Sequence, residues 1–96
     1  MTFKDRIRNS TNPVTDISNM FREVMNSLEM EVHPGIESVV ENNNYSKLRD
    51  YLKTGKSYVN MITAMIVTVA LETGSKPVAT PIIHDKVLEV LDLDIA

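Results

Sequence analysis

The sequence predicts an all-α domain, a compact bundle of four to five helices around a buried central helix at about residues 57–73. Three observations carry that reading. Val14, Ile17, Met20, Phe21, Val24, Met25, Leu28 and Val32 recur at helical spacing, with Asp16, Asn19, Arg22, Glu23, Asn26 and Ser27 between them, which is the pattern of an amphipathic helix. Ser57–Thr73 is apolar on two opposite faces of a helical wheel, and a helix hydrophobic all round is a buried one. With three Gly and four Pro, the chain lacks the turn residues of a many-stranded β protein.

Taken in order, residues 1–11 hold Lys4, Arg6 and Arg8 against Asp5, with Phe3 and Ile7 four apart, and read as a basic N-terminal arm or one amphipathic turn. Residues 12–96 form the single domain. Asn12-Pro13 starts the first long helix: Asn caps free N–H groups and Pro is preorganised for the first helical position. That helix is expected to run from Pro13 to Val32, stop at His33-Pro34-Gly35, and be the principal cover of the central one. Its stripe leaves Met30 outside.

Ile36, Val39 and Val40 mark a short turn of helix closed by Asn42-Asn43-Asn44, residues that accept turn geometry. Tyr45–Lys53 reads as a further short helix with Tyr45, Leu48, Tyr51 and Leu52 inward, broken at Thr54-Gly55. In the central segment, Tyr58, Ile62, Met65, Ile66 and Val69 form one face, and Asn60, Ala64, Val67 and Leu71 form the other at spacings of four, three and four. The β-branched run within 64–71 also fits a buried strand, but no second such run exists to pair with it. Gly74 followed by Pro77 stops the helix, and Thr80-Pro81 starts a last one with Ile83, Val87, Val90 and Leu91 inward.

Composition excludes more than it selects. No Cys means no disulfide or thiolate chemistry, and the charged N-terminus lacks the apolar core of a signal peptide, so the expected location is cytoplasmic. The longest apolar window, Tyr58–Leu71, is too short for a bilayer, which needs about 20 apolar residues, so no membrane span is expected. Net charge is −3, yet residues 45–57 carry +3 through Lys47, Arg49, Lys53 and Lys56 against Asp50. With Ser57 at the expected start of the central helix, these residues are the candidate phosphate-binding set, because a helix N-terminus presents free N–H groups and positive potential.

No motif proposes chemistry. Gly55-Lys56-Ser57 resembles the tail of a phosphate-binding loop, but position 50 is Asp where that motif requires Gly. A helix-turn-helix reading fails because the second helix would have almost no polar face for base edges. His33 and His84 have no ligand partners at metal spacing, and no Ser, Asp or Glu has a partner that would activate it, so neither an enzyme, a metal site nor a cofactor is expected. The function that fits is a non-catalytic small helical interaction or assembly subunit with another protein as partner or, as a homo-oligomer, self-associating through Asn60, Ala64, Val67 and Leu71; the alternative for that face is cover within the chain by the short helices at 45–53 and 81–91. The alternative is a phosphate-directed binder of nucleic acid or a nucleotide through residues 45–57. A compact cysteine-free chain also suggests, on composition alone, a phage or viral accessory protein.

Overall fold

In a computed structural model that describes residues 3–54 and 58–92, the chain forms six α-helices and one 3-10 turn. They are α1 (Phe3–Arg8), α2 (Pro13–Ser27), α3 (Ile36–Asn42), the 3-10 turn Tyr45–Lys47 leading into α4 (Leu48–Lys53), α5 (Val59–Thr73) and α6 (Thr80–Asp92). The bundle is all-α, and the β-branched run of 64–71 is helical throughout.

The core is gathered by α2. Asn12 Oδ1 accepts a hydrogen bond from the N–H of Thr15, and Pro13 occupies the first turn, so the helix begins where the sequence places its start. Ile17, Met20, Phe21, Val24 and Met25 then make a continuous buried stripe, and α1, α3, the 3-10 turn and α6 all pack against it. Phe21 is completely buried and meets the Tyr45 ring edge-to-face, 6.1 Å between centroids.

The helix ends at Ser27, five residues short of the expected Val32. Leu28 is the cap, Glu29 turns into the left-handed region with φ of 56°, the Glu29 N–H donates to Asn26 O and the Met30 N–H to Met25 O. This is a Schellman closure, and it reverses the chain so that Met30 folds back into the core instead of continuing outward. The wheel that left Met30 exposed assumed a helix that had already stopped. Gly74, at φ of 70°, closes α5 in a related way, with Ser75 N–H bonded to Ala70 O. There the sequence supplies the glycine that the conformation favours; at position 29 it supplies Glu.

Residues 3–8 take the helical alternative of the two expected for the N-terminus, and Ile7 belongs to the common core, so this segment packs with α2, α4 and α6. Tyr45–Lys53 is a 3-10 turn running into α4, entered through Asn44 at φ of 58°. Leu48 and Leu52 point inward as expected, but Tyr51 is 48% exposed. α6 buries Ile83, Val87, Val90 and Leu91, the four residues its spacing assigned to the core.

The largest departure concerns α5, which begins at Val59 rather than Ser57 and is not enclosed. It packs on α6 and α3 and buries Ile62, Thr63, Ile66, Val69 and Ala70, while on the opposite face Asn60, Ala64 and Leu71 are exposed to solvent among the described residues and Val67 is half-buried against the core. The position at the centre belongs to α2. The radius of gyration, 12.2 Å, is close to the ~12.5 Å of a compact chain of this length, so the open face of α5 does not arise from a loosened fold.

Two variants check this arrangement by denaturant unfolding. Phe21→Ala is expected to cost about 3 kcal/mol or more, since it removes a fully buried ring and its edge contact; a loss under about 1 kcal/mol would contradict the central place of α2. Glu29→Gly is expected to stabilise by about 0.5–1 kcal/mol, because glycine adopts the left-handed closure without a Cβ penalty. Destabilisation by that variant would mean that Glu29 does not hold this conformation.

Candidate functional site

The outer face of α5 is where sequence and structure meet. Asn60, Ala64 and Leu71 are exposed and Val67 is half-buried, so all four residues expected to form a seam share one open face. Leu71 is 78% exposed, the most uncovered large apolar side chain among the described residues. Ala64 leaves room for close approach, and its carbonyl is partly occupied by the hydroxyl of Thr68, which donates to it at 3.0 Å. No charged side chain interrupts α5 before Glu72.

Toward α6 this face runs into a shallow apolar groove of about 80 Å³, bordered by Met30, Val67, Leu71, Val78 and Ile83. Ser75 also borders it, and its Oγ is buried with no hydrogen-bond partner among the described residues. Exposed Ile82, on the first turn of α6, adds a further apolar side chain next in sequence to Ile83. An uncovered apolar face continuous with a groove is a surface that gains by association, since scattered apolar residues are ordinary but contiguous ones mark contact sites.

The basic segment is divided by the fold. Lys47 and Lys53 are exposed, whereas Arg49 is committed inward: its Nη1 donates to the Ser10 carbonyl at 3.1 Å and its Nε lies 3.7 Å from the Asp50 carboxylate. Ser10 is itself tied to α2, its Oγ donating to Asp16 and accepting from the Asn12 N–H at 3.0 Å. Arg49 therefore straps α4 to the junction of α1 and α2. Lys56 and Ser57 lie outside the described residues. At the start of α5, Tyr58 caps the helix without a side-chain hydrogen bond, and Lys4 Nζ stands 6.0 Å from the centre of the Tyr58 ring.

The two histidines stay apart from any ligand set. His33 Nδ1 accepts the Gly35 N–H at 2.8 Å and holds the turn into α3. His84 Nδ1 comes within 3.8 Å of the Asp85 carboxylate. Among the described residues no three His, Asp or Glu side chains gather as a metal site would require, and no helix is long and apolar enough to cross a membrane.

The strap makes a test that separates Arg49 from its neighbours. Arg49→Ala is expected to lower stability by about 1 kcal/mol through loss of a half-buried charged hydrogen bond, while Lys47→Ala and Lys53→Ala stay within about 0.5 kcal/mol of wild type. Equal behaviour of all three in chemical denaturation would remove the strap. The site rests on this geometry, because comparison with known proteins finds no matching family model, no similar characterised protein and no similar solved structure.

Proposed function

We propose that the chain is a non-catalytic interaction or assembly subunit of the cytoplasm that self-associates through the outer face of α5. The observation that carries this is the exposure of Leu71 in line with Asn60, Ala64 and Val67, on a helix whose other face is firmly in the core. A small chain has little material with which to wrap such a helix, and a second chain supplies the missing surface. Fully covering one Leu side chain is worth about 1.5–3 kcal/mol, so a face of this kind contributes to association only when several neighbours are covered with it.

A second reading, a phosphate-directed binder of nucleic acid or nucleotide, is favoured by exposed Lys47 and Lys53 together with Tyr51, whose half-exposed ring lies one turn from Lys47. Cations beside an open aromatic ring suit a single strand. Arg49 contributes less to this reading than its charge suggests, because its side chain is held by Ser10 and Asp50.

Sedimentation of the wild type across a concentration series is expected to show a reversible oligomer, and Leu71→Asp is expected to give a monomer with unchanged helical circular dichroism, since Leu71 contributes little to the folded core. A wild type that stays monomeric at millimolar concentration ends the self-association reading. Salt-sensitive retention of a single-stranded oligonucleotide by that monomer would move the assignment to the second one.

A further inference from the structure

We infer that α1 and α4 together form a docking surface for single-stranded nucleic acid, an inference that rests on the second reading given above and assigns part of the site to α1. The two helices pack side by side, and two contacts set their direction. Arg49 Nη1, near the start of α4, donates to the Ser10 carbonyl just beyond α1, while Lys4, near the start of α1, reaches the Tyr58 ring beyond the end of α4. The chain from Arg49 to Tyr58 therefore runs back along α1, and the fold joins two basic segments whose linking residues, Ser10 and Arg49, are 39 positions apart. The acids of these segments, Asp5 and Asp50, lie against Arg8 and Arg49. Lys4, Arg6, Lys47 and Lys53 have no carboxylate partner among the described residues; Lys4 is half-buried and the other three are exposed. The net charge of the chain is −3, so a polyanion is repelled by most of the molecule and held where these cations gather.

The flat groups on this surface decide which polyanion fits. Arg6 is exposed, and its guanidinium rests over the Phe3 ring, 4.9 Å from the ring centre, so it is held as a plate rather than left to swing. On α4, the Tyr51 ring is 48% exposed. Unpaired bases stack on guanidinium planes and aromatic rings, while ammonium groups such as those of Lys4, Lys47 and Lys53 neutralise the phosphates. In a duplex the bases are already stacked on one another, so platforms of this kind favour a single strand. A lipid surface asks for exposed apolar side chains that enter the bilayer beside the cations. Leu71, Ile82 and Leu88 are on α5 and α6; of the exposed large apolar residues described, only Tyr51 belongs to the basic segments.

The probe is a fluorescein-labelled oligothymidylate of about 20 nucleotides, longer than the ~4–16 that one small binding module covers, read by anisotropy with variants shown to be folded by circular dichroism. With about four phosphates neutralised, affinity is expected to fall with salt at a log–log slope of about −3. Lys4→Gln and Lys53→Gln should each weaken binding about fivefold at low salt and make that slope shallower by about 0.7, while Lys4→Arg keeps wild-type affinity. Tyr51→Ala should weaken binding about fivefold or more at an unchanged slope, because stacking releases no counterions. Lys76→Gln, beyond the opposite end of α5 from Tyr58, should behave as wild type. Weakening by Lys53→Gln but by neither Lys4→Gln nor Arg6→Gln would overturn the share given to α1 and leave the second reading standing on α4 alone. No binding of the oligonucleotide at low salt would remove both. A duplex bound as tightly as the single strand would overturn the stacking, and binding to phosphatidylserine vesicles in place of the oligonucleotide would make the surface a lipid-facing one.

Discussion

Burial of one stripe of α2 is the constraint on which the rest of the structure depends. Ile17, Met20, Phe21, Val24 and Met25 are fully removed from solvent, and four other elements reach the core by packing against that helix. Phe21 lies in the middle of the stripe, and the edge-to-face ring of Tyr45 fixes where the 3-10 turn and α4 enter. The ends of α2 are set as firmly as its face. Asn12 and Pro13 define its start, and the reversal at Glu29 returns Met30 to the same core. With the length and orientation of α2 fixed, α6 closes the core with Ile83, Val87, Val90 and Leu91, and α1 adds Ile7.

α5 occupies what remains. Its buried face, with Ile62, Ile66 and Val69, is as well covered as any in the molecule, yet α6 and α3 take up only that side. The contrast with α2 is physical rather than compositional. α2 has a polar face to offer solvent and can therefore sit among several neighbours with only its stripe inside. α5 has no such face, and among the described residues only α6 and α3 pack extensively against it. An apolar surface left open in this way changes little in the stability of the monomer, because it is equally open in the unfolded chain, but it makes association favourable.

The parts of the fold legible in the sequence were those decided by local chemistry. The start of α2 at Asn12-Pro13, the stop at Gly74 and the inward residues of α6 follow from capping, glycine geometry and periodicity, and none depends on distant contacts. The early end of α2 was hidden because a left-handed Glu29 carries no signature; glycine there would have announced it. Periodicity also grouped Asn60, Ala64, Val67 and Leu71 correctly as one face of a helix, but a wheel records which residues share a face and not what covers it. Hence the same segment was read as a buried centre and found at the periphery. Arg49 shows the corresponding limit for charge: its place in a basic run suggested a free cation, while the carbonyl that holds it, Ser10, lies 39 residues away and leaves no trace in local composition.

The border of the open α5 face is built from helix endings. Met30 and Ser75 are the residues that immediately follow the left-handed positions Glu29 and Gly74, and both line the groove beside Val67 and Leu71. Two chain reversals thus converge at one place, each turning a backbone back over the core and presenting its next side chain to the same hollow. One contributes a flexible thioether, a group that adapts to whatever packs against it; the other contributes a hydroxyl that has no partner among the described residues. The shape of the surface is therefore set by backbone conformations at positions 29 and 74 rather than by the residues of the α5 stripe alone. That arrangement couples the stability of α2 and α5 at their C-termini to the geometry of the face, because relaxing either left-handed turn would withdraw one wall of the groove while leaving Asn60, Ala64 and Val67 in place.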